Sequence, residues 1–398
     1  MPQAFYDEDH EAFRHTVRAF VERSVRPHAE DWEEHRRIDR EAWQAAGAAG
    51  VLGLRIPEPF GGAGTDDYRF RCVVQEELAA IGAAALASSF SINEDIVASY
   101  LTKFGTDDQK KQWLPGMAAG EIVTSIAMTE PRAGSDLRGI RTSARRDGSD
   151  WVIAGTKTFI TNGFSSDLVI VAARTGESDG RAVLSLFLVP SSAPGFARGA
   201  KLKKLGLHAQ DTAELFFDDL RVPADALLGE EGSGFRQLTT QLPLERLSIA
   251  WRGLVAAESA LRWTVEYTRE RTAFGKRIAD FQNTQFRLAE LTTEVDITRA
   301  YLERCIHQLI EGSFDAVTGA KAKWWATELQ NRVVSACLQL HGGYGYMDEY
   351  PISRAFADAR VQTLVGGTTE IMKGIVGRDL VGPRPRSAEP DVPSEGGA

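Results

Sequence analysis

The chain has 398 residues, enough for two or three domains with cores of their own. Its 43% hydrophobic and 25% charged content is that of a soluble globular protein, and no run approaches the roughly 18 apolar residues of a membrane span. A net charge of −9 and a pI near 5.5 argue against a general nucleic-acid surface and against binding acidic membranes through bulk charge.

The N-terminus, MPQAFYDEDHEAF, has neither the basic nor the apolar region of a secretory signal. It is also acidic, unlike a mitochondrial transit peptide. Cys72, Cys305 and Cys337 form no CxxC pair and no even disulfide framework, and the last two fall on apolar helical stripes. Buried free thiols in a reducing, cytoplasmic compartment are the expectation.

From about residue 5 to 120 the chain reads as helices broken by glycine. Phe13, Val17, Phe20 and Val21 recur at helical spacing, as do Val73, Val74, Leu78 and Ile81. Ile56–Gly64 is a breaker, and Gly105-Thr106-Asp107 a helix stop followed by a capped start. Near Glu121 the pattern changes to strands (WVIAG, DLVIVAA, AVLSLFLVP, AELFFDDLRVP) parted by turns at Asp147-Gly148, Asp179-Gly180 and Pro194-Gly195. From about Gly234 helical periodicity returns in three stripes: Leu244 to Val265, Leu288 to Leu309, and Ala326 to Leu340. Long amphipathic helices with short connections make an antiparallel bundle. The expected division is 1–120 helical, 121–232 β, 233–382 a helical bundle, and 383–398, rich in Pro, Ser, Glu and Gly, a disordered tail.

Two segments carry the chemistry: AMTEPRAGSD, Ala127 to Asp136, and KTFITNG, Lys157 to Gly163. Both read as β-type. Thr129, Ser135 and Thr161 each donate one hydrogen bond and accept others. Gly134 and Gly163 permit close backbone approach, and Phe159 offers an aromatic face. This set suits a planar heteroaromatic cofactor, not a metal or a bare phosphate. No HExxH spacing exists, and His28, His35, Glu30 and Glu33 fit a solvated helix face, so no metal site is expected. The glycines of HGGYGY and EEGSGF follow no strand of a βαβ unit, so a nicotinamide fold is not supported.

These segments resemble the flavin-contacting motifs of the acyl-CoA dehydrogenase family. The resemblance runs from about residue 5 to 382 and includes KLKKLGL, Lys201 to Leu207. The pattern is nearest the long-chain branch, through Lys203 to Glu231 and Leu340 to Val361. It implies an α+β, mainly α fold: an N-terminal helical domain, a central β-barrel domain and a C-terminal four-helix bundle. It also implies FAD-dependent oxidation of an acyl-CoA to the trans-2-enoyl-CoA, with electrons passed to an electron-transfer flavoprotein.

Such chemistry needs a carboxylate in a dry pocket, so that its pKa rises toward working pH, and hydrogen bonds to the thioester carbonyl. Many relatives carry the glutamate just before a Gly-Thr near the C-terminus. Here that segment reads LVGGTTEIM, and the position holds Gly366. The family's other position falls on Glu245, in LPLERL. Glu245 stands among leucines at the start of an apolar helix, where a bare carboxylate is costly unless used or paired. A first-turn glutamate, or one paired with Arg246, is the bland alternative. Gly366 would keep a backbone N–H for the thioester oxygen and enlarge the cavity beside the flavin.

By position the resemblance assigns Ile126, Met128, Thr129, Ser135, Phe159 and Thr161 to the flavin ring. Arg271, Phe274, Gln282, Gln339, Gly342 and Gly343 would serve a neighbouring subunit's FAD, and Thr368 and Glu370 would bind FAD across the active-site side. Ser135, Arg236, Leu244, Arg246, Gly366 and Gly367 would meet substrate. A shared FAD implies an oligomer, by family habit a tetramer. Alternatives are a flavin monooxygenase or N-hydroxylase on the same fold, a dehydrogenase of carrier-bound acyl groups, and a helical scaffold without cofactor. Acyl length and branching stay open.

Overall fold

The computed structural model describes residues 5–178 and 180–382; the expected disordered tail lies outside the described residues. The N-terminal part is built of α1 (Glu8–Ser24), α2 (Ala29–His35), α3 (Arg40–Ala48), α4 (Arg69–Ala80), α5 (Ala84–Ser91), α6 (Ala98–Phe104) and α7 (Asp107–Ala118). A π-helical segment, Ile92–Val97, joins α5 to α6 without a break. It turns Asn93, Glu94 and Asp95 inward together. Thr106 caps α7 in a capping box with Gln109, and the chain before it stops at Gly105. Val17, Phe20 and Val21 of α1 pack with Val73, Val74 and Leu78 of α4 in one core.

The middle is an eight-stranded sheet: β1 (Thr124–Ala127), β2 (Ser143–Asp147), β3 (Asp150–Thr161), β4 (Leu168–Ser178), β5 (Arg181–Pro190), β6 (Phe196–Lys201), β7 (Thr212–Val222) and β8 (Leu227–Leu228). The hydrogen-bonded order is β6-β7-β3-β2-β4-β5-β8, with β1 added in parallel to β4. Strand β3 shifts register against β7 between Lys157 and Ile160, a bulge that re-aims the residues between. One expectation is corrected here. Of Ala127–Asp136 only Ala127 is strand, and the rest is a loop closed by a Glu130–Ala133 bridge.

The third part comprises α8 (Gly234–Glu270), a small hairpin of β9 (Thr272–Ala273) and β10 (Lys276–Arg277), then α9 (Gln282–Ile310), α10 (Ala316–His341), α11 (Pro351–Gln362) and α12 (Thr369–Val381). The apolar stripes of α8, α9 and α10 meet around Trp251, Leu254, Leu291, Leu302, Leu329 and Val333. Cys72, Cys305 and Cys337 are buried free thiols in the same core. Helix α8 is 37 residues long and carries Pro243 in its interior. That proline leaves the carbonyl of Thr239 without its usual N–H partner, yet the helix runs on because its apolar stripe is buried on both sides. Glu245 therefore lies about three turns from the helix start, not in the first turn as expected, and no helix-terminal dipole supports it.

The β domain docks onto the bundle at Gly206. A Cβ there would stand 2.6 Å from the backbone of Ala357, and the next N–H, of Leu207, donates to the Asp358 carboxylate on α11. Gly206→Ala should cost about 1–3 kcal/mol by forcing the two parts to separate. A fall in urea midpoint checks it; an unchanged midpoint would show that the junction yields.

Candidate active site

Helix α8 places two adjacent charged residues about 100° apart around its axis, so they serve different neighbours. Glu245 is 4% exposed and accepts a hydrogen bond of 3.1 Å from the Tyr100 hydroxyl on α6. Burial lifts its pKa to about 7; the Tyr100 bond and the Arg246 charge oppose the rise, and Asp95 adds to it. Arg246 turns the other way and gives its Nε to the carbonyl of Gly366 at 3.2 Å. Lys323, buried on α10, gives its Nζ to the carbonyl of Gly367 at 2.8 Å. Burial first, and then the Arg246 charge, lower that lysine to about 8. The two cations pin the loop by its carbonyls, while its internal bonds use the N–H groups of Leu364, Val365 and Thr369. Among the described residues the N–H groups of Gly366 and Gly367 have no hydrogen-bond partner.

Both glycines of this loop have left-handed φ, 64° and 98°. The expectation that Gly366 enlarges the cavity is corrected. A Cβ at 366 would stand 2.5 Å from Cδ1 of Ile249, one turn beyond Glu245, so isoleucine fills the room that the glycine leaves. Thr368 is the N-cap of α12, its hydroxyl accepting from Ile371 N–H, and Glu370 is exposed in that helix's first turn. Leu244 packs into the bundle core, and Arg236 is exposed in an ion pair with Glu230.

On the β side, Ile126 and Met128 pack in the cluster that also holds Tyr100 and Leu238 of α8, so the strand end and the surroundings of Glu245 share one core. The following loop is held by a buried pair that the sequence reading missed: Lys157 Nζ bonds Glu130 Oε1 at 2.9 Å and the Met128 carbonyl at 3.0 Å. Glu130 also accepts from the N–H groups of Arg141 and Thr142, and Thr158 N–H bonds the Thr129 carbonyl. Gly134 and Ser135 sit exposed on this loop, with nothing within 4 Å of a Cβ built at Gly134. At the β3 bulge Phe159 is held at φ 58° and stands 67% exposed, with the half-buried Thr161 two residues on. An aromatic ring kept in strained backbone and left bare is a stacking surface without its partner. These residues fit a flat aromatic cofactor.

The remaining assigned residues gather elsewhere. Arg271, Gln339, Gly342 and Gly343 line a cleft of about 670 Å³ with Tyr267 and His341. A Cβ at either glycine would meet nothing within 4 Å. Phe274, beside Gly275 at the β9–β10 turn, is 95% exposed at φ 52°, and Gln282 is exposed at the start of α9. Among the described residues no group of three His, Cys, Asp or Glu side chains is placed to hold a metal ion.

The chain thus carries a buried carboxyl lifted to about 7 on α8 and a bare aromatic ring at the β3 bulge. Comparison with known proteins gives the family. The acyl-CoA dehydrogenase N-terminal domain matches residues 7–121, the middle domain 125–220 and the C-terminal domain 232–381. The mitochondrial long-chain specific acyl-CoA dehydrogenase of Sus scrofa is 47% identical over 94% of this chain and 87% of its own. Among solved structures, an acyl-CoA dehydrogenase from Geobacillus kaustophilus is 44% identical, with TM-score 0.91 over 94% of this chain and 98% of its own. The butyryl-CoA dehydrogenase of Megasphaera elsdenii is 32% identical, with TM-score 0.91 over 96% and 100%. The chain belongs to the acyl-CoA dehydrogenase family, flavin-dependent oxidoreductases acting on CH–CH bonds.

The Gly366–Ile249 contact is testable. Gly366→Ala should cost about 1–3 kcal/mol in thermal or urea unfolding, from strain and from the clash. Measured in an Ile249→Ala background, the cost of Gly366→Ala should fall by the part due to the clash. An equal cost in both backgrounds would mean that the isoleucine does not occupy that space.

Proposed function

We propose that the protein oxidises the Cα–Cβ bond of an acyl-CoA thioester, with Glu245 as the base that takes the α-proton. Ile126, Met128, Thr129, Ser135, Phe159 and Thr161 would hold FAD, which would supply the two-electron acceptor for the hydride of the β-carbon. The single observation that carries the reading is the state of Glu245: buried, lifted to about 7, with Tyr100 its hydrogen-bond donor. A carboxylate so placed is a stronger base than an exposed one and titrates near working pH. Tyr100 favours its charged form before reaction and orients one oxygen, leaving the other to receive the proton. The N–H groups of the Gly366–Gly367 loop, set by Arg246 and Lys323, stabilise the charge that grows on the thioester oxygen as the proton leaves.

Supporting a homo-oligomer, by family habit a tetramer, is the separation of the two residue groups. Gln339 lies sixteen residues beyond Lys323 on α10, about 24 Å along the helix. The Arg271–Gln339–Gly343 cleft and the exposed Phe274 thus suit a neighbouring subunit's FAD. We place the protein in the cytoplasm, its buried thiols suiting a reducing compartment, with an electron-transfer flavoprotein as the partner that takes the electrons.

Glu245→Gln should keep FAD but slow anaerobic flavin bleaching by acyl-CoA by about 10²–10⁴ or more. Normal bleaching would overturn the base assignment. Since the ionised carboxyl is the active form, the rate of bleaching should rise with pH through about 7. Tyr100→Phe removes a bond that favours the charged form, so the profile should move to higher pH; a shift to lower pH would refute the role given to Tyr100.

A further inference from the structure

Two pairs of side chains join α8 to the segment that carries Tyr100. The Tyr100 hydroxyl meets Glu245 at 3.1 Å, and Ser248 Oγ donates to Asp95 Oδ2 at 2.6 Å. On α8 the two partners, Glu245 and Ser248, stand three residues apart on one face. Across from them Asp95 and Tyr100 stand five apart. On a regular α-helix that spacing turns two side chains about 140° from each other, so only one of them could face α8. The segment Ile92–Val97 is π-helical, and the N–H of Ala98 bonds the carbonyl of Asn93. The extra residue of that turn brings both side chains round to the same neighbour.

The Asp95 contact is fixed from every side. Ser248 is buried, and its Oγ receives Gln75 Nε2 at 3.2 Å and Arg252 Nη1 at 3.0 Å. With both lone pairs engaged, the one hydroxyl proton goes to Asp95. Arg71 Nε and the Tyr68 hydroxyl hold the other carboxylate oxygen, each at 3.2 Å. Burial opposes the charge on Asp95, yet Arg71 and the Ser248 bond keep its pKa below the usual carboxylate range. The charges that face Asp95 are thus Arg71 of α4, Arg252 of α8 and, on its own segment, Glu94. Its remaining titratable neighbours are Tyr68 and Cys72 of α4. Glu245 is faced by Tyr100 of α6, by Arg246 of its own helix and by the Asp95 charge.

A single pair would leave α6 free to turn about it against α8. The second pair, one helical turn along, removes that freedom.

We infer that Asp95 and Ser248 are positioning residues: their buried contact sets the register of the π-helical segment and α6 against α8, and so keeps the Tyr100 hydroxyl on Glu245. The inference rests on the reading of Glu245 as the base and names what orients it. It also gives the π-helical turn a use, since a regular helix would lose one of the two contacts.

The test titrates the Glu245 carboxyl in the FAD-loaded enzyme without substrate, by infrared difference spectroscopy against Glu245→Gln. Ser248→Ala releases Tyr100, whose bond favours the ionised form, so the midpoint should rise by at least about half a pH unit. Made in the Tyr100→Phe protein, where that bond is already gone, the same change should add little. Should Ser248→Ala not fold, Ser248→Cys takes its place, because a thiol is a weak donor. A Ser248 variant that leaves the midpoint unmoved, lowers it, or raises it equally with and without the Tyr100 hydroxyl overturns the inference. Anaerobic flavin bleaching by acyl-CoA, run beside the titration, keeps the two readings apart. If the carboxyl titrates as expected but no acyl-CoA reduces the flavin, the dehydrogenase reading falls and the contact between Tyr100 and Glu245 stands.

Discussion

A carboxyl withdrawn from water between α6 and α8 sets the terms for this site. Ionised, Glu245 must be stabilised by what surrounds it, and the surroundings are sparse: one phenol at hydrogen-bond distance, one arginine beside it in sequence, and Asp95 acting against it. The balance leaves the group close to neutrality, where a proton moves on or off at little free-energy cost. A full ion pair with Arg246 would hold it ionised but weak as a base. The structure avoids this by spending Arg246 on the Gly366 carbonyl instead. Adjacent residues on a helix point in different directions, and here that elementary fact separates the buried carboxyl from the anchor of the glycine loop.

The Gly366–Gly367 loop shows the same economy. Its left-handed backbone requires glycine, and its carbonyls are held by two buried cations from different helices. Among the described residues neither cation has a carboxylate within hydrogen-bond distance, and their charged forms are favoured by carboxylates further off, Glu245 for Arg246 and Glu328 and Glu370 for Lys323. Gly366 leaves no void, because Ile249 Cδ1 lies 2.5 Å from where a Cβ at that position would stand. The face of α8 that carries the base thus also supplies the packing that its placement there requires.

Periodicity made α8, α9 and α10 legible, since each buries a stripe long enough to stand out from its polar neighbours. Glu245 was legible for the opposite reason: it interrupts such a stripe. Its position within the helix is not evident from sequence, because Leu-Pro-Leu reads as a start when the turns before it are largely polar. The partners that tune the site were not visible. Tyr100 lies 145 residues away in sequence, Lys157 and Glu130 meet only when the loop after β1 folds back on β3, and Lys323 sits on a helix whose periodicity predicts nothing about a distant glycine loop. A lysine at a core position of an apolar helix is a signal, and it was there to be read. Asp95 had a weaker one, being turned inward by a π-helical segment that local sequence does not announce.

Strain completes the physical picture. Phe159 and Phe274 both adopt left-handed backbone, which bulky residues seldom do, and both present bare rings. Burial in this chain does not repay that strain, for neither ring is covered by it. Only glycine would relieve such backbone, so a phenylalanine kept there points to a use for its ring. Phe159 lies at the β3 bulge, next to Thr158, whose N–H bonds the loop after β1, and Phe274 at the tip of a hairpin near a separate cleft. The two bare rings therefore stand at two separate places on the chain. Under the proposed function a single extended cofactor spanning two copies would use both, and would tie the chemistry of the carboxyl to the association of subunits.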